Sequence, residues 1–410
     1  MKRLSKSGSL SRADAVISMQ YALIQALYWA ANCSFYAYLT VFLQHRGYSP
    51  SQIGYATSVR IIATMVGQLV LAFIADRYRR IPLKYIVGGL MGTAVIASLF
   101  LQFTTPAYAG MLVLLFVLGF TEIGVSILID MLGIQFMNAG SSLSFTACRS
   151  CGSVSYAFVA VIMGRVIDAR SVEVTVHVHT VLLILTVAMV FIFRRCRAAE
   201  EEEATSGESS TMRGALVSLL RDHPQYRMLL IANAVLCFGY WPINSFMPVL
   251  MEEVGGNNTL LGIALFVGPF AEMPMLAFIF PRLKRNHSMP KLLVVSMVCH
   301  VLRWAFYIVV TTPFGVIFQQ CFSMFSFALS YAAEVQYINE NIPVENRVKG
   351  QSFYSIAGNL GGTFGYSVFG NVLQQTNIRV MNAAGTVFVA IALGLMVIMT
   401  RLPAVRKREA

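Results

Sequence analysis

Apolar residues occur in this chain as long unbroken runs rather than at alternating positions, and the runs recur along almost its whole length. An α-helix rises about 1.5 Å per residue, so about 20 apolar residues cross a bilayer. Twelve windows reach that length, near residues 19–43, 51–74, 84–104, 108–136, 148–168, 176–193, 227–251, 259–280, 291–311, 314–338, 350–374 and 380–400. The pattern predicts an all-α membrane protein of twelve transmembrane helices. The fifth and eleventh windows are rich in Gly and Ser, which weakens their apolar signal.

A single long polar stretch interrupts the series, from Arg194 to about Arg227, with the acidic run Glu200–Glu203 and Ser/Thr/Gly-rich residues up to Thr211. It reads as a flexible cytoplasmic linker followed by a short amphipathic helix near Leu216–Leu220. The expected domains are a six-helix bundle over 1–195, the linker 196–226 and a second six-helix bundle over 227–410. The halves resemble each other: Leu71-Ala-Phe-Ile74 recurs as Leu276-Ala-Phe-Ile279, and each copy leads into a basic turn, Arg77, Arg79 and Arg80 or Arg282, Lys284 and Arg285. Gly47–Gly54 likewise matches Gly255–Gly262. Two pseudo-symmetric halves of this kind predict a midplane site and alternating access.

Of the 410 residues 57% are hydrophobic and 12% charged, about half the charge of a soluble globule. The net charge of +12 suggests a polyanionic partner until it is mapped. Four of the 31 Lys/Arg fall on external segments (Arg46, Arg165, Arg170, Arg379), three lie within spans, and the rest are cytoplasmic if both termini are inside. That is the positive-inside rule, so the basicity reports orientation, and no nucleic-acid partner is expected. The basic, polar start followed by a long apolar run predicts no cleavable signal peptide. The seven cysteines lie in spans or at cytoplasmic positions, where disulfides are not expected, and Cys148-x-x-Cys151 reads as helix packing.

Seven ionisable side chains fall deep in the predicted spans: Arg60, Glu122, Asp130, Arg149, Glu272, Arg303 and Glu334. Each charge at mid-bilayer costs roughly 2.5–3.5 kcal/mol on insertion scales, so seven imply a polar cavity in which acids and arginines compensate one another. Trp29, Asn32 and Tyr36, at i, i+3 and i+7, share one face of the first span. Such a stripe suits an amphipathic ring, and equally suits tight helix packing. Trp241-Pro242 predicts a kink in the seventh span, and Asn359, Asn371 and Gln374 are further polar candidates in the eleventh. His177 and His179 are expected on an external loop, with no metal role. No P-loop, nucleophile elbow or metal-ligand cluster is present, so ATP-driven transport, enzymatic activity and cofactors are not expected.

The segment Ala72-Phe-Ile-Ala-Asp-Arg-Tyr-Arg-Arg-Ile-Pro82 resembles the G-x-L-A-D-R-x-G-R-R loop of the major facilitator superfamily. The match assigns Asp76, Arg77 and Arg80 to a gate loop, while Ala72 and Arg79 replace its glycines. Arg149-Ser-Cys-Gly-Ser-Val-Ser-Tyr-Ala157 resembles the R-x-W-G-S-x-G-F motif of the lactose permease branch, which also holds oligosaccharide, nucleoside and phenylpropionate proton symporters. Ser34–Leu43 and Gly350-Gln-Ser-Phe-Tyr354 agree with that branch as well.

The resemblance implies that Asp130 and Arg149 hold the solute together, that Tyr156 stacks on it, and that Glu272 with Arg303 couples proton to solute. It departs where the branch has its proton-handling His and Glu, which fall on Ser323 and Ser326, and where an acid–lysine pair between the seventh and eleventh spans is missing. The coupling acid is then sought among Glu272, Glu334 and Glu122. A carboxyl group in a dry cavity holds its proton more tightly, and an approaching Arg releases it.

The expectation is therefore a secondary active transporter, a proton-coupled symporter of a small polar organic solute such as a sugar or glycoside. Substrate contacts are expected from Asp130, Arg149, Tyr156, Trp29, Asn32, Tyr36, Glu122 and Arg60, and proton coupling from Glu272, Arg303 and Glu334. The alternatives are an organic-anion, aryl-acid or nucleoside uptake permease, for which Arg60 supplies a carboxylate clamp, then an efflux antiporter or a non-transporting receptor. The expected setting is a monomer in the plasma membrane, with both termini cytoplasmic and protons as coupling ion.

Overall fold

The computed structural model describes residues 12–78, 81–196 and 219–402, and among these it is helical with no strand. The long helices are α1 (Arg12–Tyr36), α2 (Pro50–Arg77), α3 (Leu83–Phe103), α4 (Tyr108–Asn138), α5 (Phe145–Ala169), α6 (Val174–Ile192), α7 (Pro224–Ser245), α8 (Asn258–Asn286), α9 (Met289–Val309), α10 (Pro313–Asn341), α11 (Arg347–Gln375) and α12 (Ile378–Arg401). Ten of the described helices are long and apolar enough to cross a membrane by length and composition. The other two, α1 and α11, complete the twelve. Both carry polar faces, with Gln25, Asn32 and Ser34 on α1 and Ser, Asn and Gly throughout α11, which lower their hydropathy without shortening them.

The linker expected over 196–226 falls largely outside the described residues, as does the amphipathic stretch near Leu216 up to residue 218. Arg79 and Arg80 of the basic turn are outside them too.

Turn chemistry explains where several helices start. Asn257 caps α8 by accepting from the Leu260 amide, Asn377 caps α12 by accepting from Arg379 and Val380, and Thr312 caps α10 by accepting from Gly315. Proline stands at N1 or N2 of α7, α9 and α10, where its missing N–H is no loss. At the C-terminus of α6 the Lys84 ammonium donates to the Phe191 and Phe193 carbonyls, both at 2.8 Å, and satisfies acceptors the helix leaves open.

The duplication has a backbone signature. After α1 the chain breaks and resumes as a short helix, Leu39–His45, ending at Gly47 with φ of 80°. After α7 it breaks at Phe246 and resumes as Met247–Glu253, ending at Gly255 with φ of 79°. Both glycines hold the left-handed conformation that a side chain resists, at equivalent points of the two halves. Pro242 lies inside the last turn of α7, close to this break.

Three helices depart from regular geometry. A π-helical segment, Gly119–Ile123, interrupts α4, a second, Met275–Ile279, follows Pro274 in α8, and a 3₁₀ turn, Cys321–Met324, interrupts α10. Pro274 cannot donate to the i−4 carbonyl, which accounts for the widened turn behind it. Such turns re-aim nearby side chains and concentrate at functional sites.

By contacts the described chain forms two compact units. One holds α1 to Tyr36, Ala63–Val159 and the chain from Thr175 through α6. The other holds Ala37–Ile62, Ala160–Val174 and the second half of the chain. Thus α2 and α5 each pass from one unit into the other along their own length. Large apolar side chains such as Phe73, Phe103, Phe278 and Phe314 are exposed, as helices surrounded by lipid require.

In the second unit the Gly-rich α11 lies directly against α7. A Cβ on Gly361 would strike the Ala234 carbonyl, and one on Gly365 the Phe238 carbonyl. Only small residues permit that approach. Gly361→Leu is expected to cost the fold more than the 1–3 kcal/mol usual for overpacking, because the obstacle is backbone. Loss of the monodisperse peak in fluorescence-detected size exclusion checks it, with Gly89→Leu, which meets nothing within 4 Å, as the control.

Candidate functional site

The first unit contains two polar clusters strung along one face of α1. Gln25, Trp29, Asn32 and Tyr36 follow at i, i+4, i+7 and i+11, so their side chains stack over about three turns.

In the lower cluster Gln25 is the hub. Its Nε2 donates to Asp130 Oδ1 at 2.9 Å and to the Tyr21 hydroxyl at 2.8 Å, while its Oε1 accepts from Trp29 Nε1 at 3.2 Å. Gln25 itself is fully buried. Arg149 Nε approaches Asp130 Oδ1 at 3.8 Å, and the guanidinium carbon lies over the Trp29 ring, 4.3 Å from its centroid. The indole fits because Gly152, one turn beyond Arg149 on α5, has no side chain. A Cβ there would collide with it. Tyr156 follows Gly152 by four residues on the same face of α5 and is half-buried.

The resemblance implies that Asp130 and Arg149 act together, and the structure brings them within 3.8 Å with no shorter contact between them. Asp130 takes its short bond from a neutral amide, and Arg149 takes its support from an aromatic face. The side chains of Arg149 and Asp130 remain 32% and 37% exposed, so acceptor and donor edges face an accessible surface. A cation held on an aromatic ring gains about 0.5–2 kcal/mol and keeps its N–H fork directed outward.

The upper cluster surrounds Glu122, which sits in the π-helical turn of α4. Its Oε1 accepts from Asn32 Nδ2 at 3.1 Å and its Oε2 from the Tyr36 hydroxyl at 2.8 Å. His179 Nε2 lies 3.2 and 3.1 Å from the two oxygens. The side chains of His179 and Glu122 are 0% exposed, so Glu122 touches protein groups only. Here the loop expected at His177 and His179 is corrected. Both lie in α6, which begins at Val174, and only His177 is exposed. Thr175, His177 and Thr180 mask the first turns of a helix that is otherwise apolar.

The second unit holds Glu272 on α8 and Arg303 on α9 within electrostatic reach of each other, and Glu334 separately on α10. Glu272 Oε1 accepts from Ser323 Oγ, which the 3₁₀ turn of α10 presents. Arg303 donates through Nη2 to Gln320 Oε1 at 2.7 Å and through Nη1 to Ser326 Oγ at 3.2 Å, and stacks on Trp304 at 4.6 Å. Gln320 in turn donates to the Tyr307 hydroxyl at 2.7 Å. Among the described residues no ion pair within 4.0 Å joins Glu272 to Arg303. Ser323 and Ser326 are therefore direct partners of the acid and of the arginine. Glu334 is buried, within electrostatic reach of Tyr354 on α11 and Cys237 on α7.

The remaining candidates are dispersed. Arg60 lies on the part of α2 that belongs to the second unit, within electrostatic reach of Tyr366 on α11. Asn371 Nδ2 donates to the Tyr55 hydroxyl at 2.9 Å, and Gln374 Oε1 accepts from the Ser51 amide at 3.3 Å, so both tie α11 to the start of α2. Asp76 and Arg77 are in the last turn of α2, with Arg77 exposed, and Arg80 is outside the described residues. Gln25, His179, Ser98 and Gln320 are site residues that charge counting misses. Gln25 was signalled by its place four residues before Trp29 on the α1 stripe. The other three carry no mark of their own in the sequence.

The chain is 25% identical over 362 residues to the maltose permease of Geobacillus stearothermophilus, covering 87% of this chain and 88% of the permease. Its fold matches the crystal structure of the nucleoside transporter NupG with a TM-score of 0.81 at 14% identity, over 94% of this chain and all of that one. It also matches a bacterial homologue of the human lysosomal transporter Spinster in an inward-facing, unoccupied conformation, with a TM-score of 0.72 at 12% identity over 96% and 98% of the two chains. The family model of the MFS_1 like family matches residues 18–403. With that match spanning nearly all its length, the chain belongs to the MFS_1 like family and is a multi-pass membrane transporter of the major facilitator superfamily.

Proposed function

We propose that this transporter takes up a small polar organic solute, most simply a sugar or glycoside, in symport with protons. The observation that carries the reading is the half-exposed set Asp130, Arg149 and Trp29, braced from behind by the buried Gln25. A carboxylate accepts hydroxyl protons, a guanidinium fork donates to ring and hydroxyl oxygens, and an indole offers an apolar face. Together these match the two-sided chemistry of a sugar ring. The 25% identity to a maltose permease supports the same substrate class. In this reading the halves 1–195 and 227–410 rock about a central site by alternating access. The basic ends of the helices face the cytoplasm of a plasma membrane, and Asp76, Arg77 and Arg80 work at that gate.

Nucleosides are the second reading, since a nucleobase stacks on Trp29 and the ribose hydroxyls bond as a sugar's do. Uptake by proteoliposomes under an imposed inward proton gradient tests both. Maltose-class sugars are expected to accumulate and to compete with one another, with nucleosides and aryl acids competing weakly. Transport unaffected by any sugar, or sugar flux indifferent to the gradient, overturns the corresponding half of the proposal.

A further inference from the structure

We propose that the coupling proton is carried by the Glu122–His179 pair in the first unit, rather than by an acid of the second half. This rests on the symport reading above and adds the identity of the site.

Thr180 Oγ1 lies 2.8 Å from the Val176 carbonyl and 2.7 Å from Ser98 Oγ, and Ser98 Oγ lies 2.9 Å from His179 Nδ1. Each hydroxyl can turn to donate either way along this chain, so the imidazole can hold its proton on Nδ1 or on Nε2. With Thr180 donating to Val176 and Ser98 to Thr180, Nδ1–H donates to Ser98, and one further proton lies between Nε2 and the carboxylate, 3.1 Å apart. With both hydroxyls turned, Ser98 donates to Nδ1 and Nε2–H alone faces the carboxylate. The two arrangements differ by one proton, in a site with no exposed surface. The first is neutral and is the loaded state of this proposal; the second carries one negative charge, which burial disfavours.

Release is written simply. The shared proton passes to water, leaving the Glu122 carboxylate and a neutral imidazole. Two donors already point at that carboxylate, Asn32 Nδ2 and the Tyr36 hydroxyl, and would hold the charge once water enters. The titratable groups bearing on the pair are Tyr28 and Tyr36 of α1. From α3 and α6 the neighbours are the hydroxyls of Ser98 and Thr180.

Coupling has a physical route. Asp130 lies eight residues from Glu122 on α4, about 12 Å along the axis at 1.5 Å per residue. The helix α1 grips both ends of that interval, through Gln25 at Asp130 and through Asn32 and Tyr36 at Glu122. Solute that engages Trp29 and Asp130 thus loads the same helix that supplies the carboxylate's donors. The π-helical turn at Gly119–Ile123 gives α4 the local slack for the two contacts to shift together.

The test uses purified full-length protein in proteoliposomes, as wild type, His179→Asn, Glu122→Gln and Glu340→Gln. For one proton per solute, a gradient of about one pH unit supports up to about tenfold accumulation, since each tenfold ratio corresponds to one unit. Wild type and Glu340→Gln, which alters an exposed carboxylate near the end of α10, are expected to accumulate solute and to alkalinise the medium when solute is added without a gradient. Glu122→Gln and His179→Asn are expected to equilibrate at a ratio near one with no alkalinisation, while exchange of labelled for unlabelled solute, which needs no net proton movement, persists in His179→Asn. Alkalinisation retained in both pair variants overturns the assignment and leaves symport intact. Loss of exchange along with alkalinisation in His179→Asn marks the pair as structural and also overturns it. A wild type that moves solute with no proton overturns the symport reading, and the pair's role with it.

Discussion

Arg149→Lys will abolish most solute uptake although it preserves the charge. The guanidinium carbon lies over the Trp29 ring at 4.3 Å from its centroid, with Asp130 at 3.8 Å. An ammonium has no face to stack and no fork to present. The variant loses about 0.5–2 kcal/mol of cation–π support. It loses a further 1.5–3 kcal/mol or so for a charged hydrogen bond to substrate. Together these correspond to a fall on the order of 100-fold in initial uptake rate at low solute concentration. Trp29→Ala should fall almost as far, and the two together little further, because each acts through the other. Gln25→Ala removes a brace rather than a contact and should cost about 1 kcal/mol, or roughly fivefold. Rates within twofold of wild type for Arg149→Lys would place the substrate elsewhere.

The residues behind this prediction show what a sequence does and does not carry. Helix number and the duplication were legible because hydropathy and short sequence repeats are local properties of the chain. The partners were not. Charge counting pairs acids with arginines, whereas Asp130 is bonded by Gln25, Glu272 by Ser323, and Arg303 by Gln320 and Ser326. Neutral amides and hydroxyls are cheap in a membrane helix, so nothing in the hydropathy marks them.

His179 was hidden for a different reason. It lies in the second turn of α6, where polar residues blur the helix start and imitate a loop. Only the tertiary position of Ser98 on α3 and Glu122 on α4 shows that it is buried. The Gly-rich α5 and α11, weak as apolar windows, are full-length helices because small residues are what a close crossing requires.

Asp168→Ala is expected to open the end of the molecule opposite the basic turns. Asp168 stands one residue before the end of α5 and accepts four hydrogen bonds from the start of α8. Oδ1 accepts from Asn258 N at 3.1 Å and Nδ2 at 2.9 Å, and Oδ2 accepts from Thr259 N and Oγ1, both at 2.7 Å. The carboxylate also complements the positive end of the α8 dipole. Around it the two helices touch through backbone. A Cβ on Gly164 would strike the Asn258 carbonyl, one on Gly262 would come within 2.5 Å of the Ala160 carbonyl, and Tyr38 donates to that same carbonyl. Such a seam is either shut or parted, since backbone crossings have no soft intermediate. Loss of an exposed cap of this kind costs about 0.5–2 kcal/mol, which moves a two-state balance by roughly twofold to thirtyfold. Spin labels at Ser171 and Glu252, in a background with Cys151, Cys299 and Cys321 replaced, report the gap directly. Wild type should give one short distance, Asp168→Ala an added longer population, and Asp168→Asn a smaller one, because its amide oxygen still accepts from Thr259. Identical distance distributions in all three would show that the glycine crossings alone hold the seam and that the carboxylate only caps a helix.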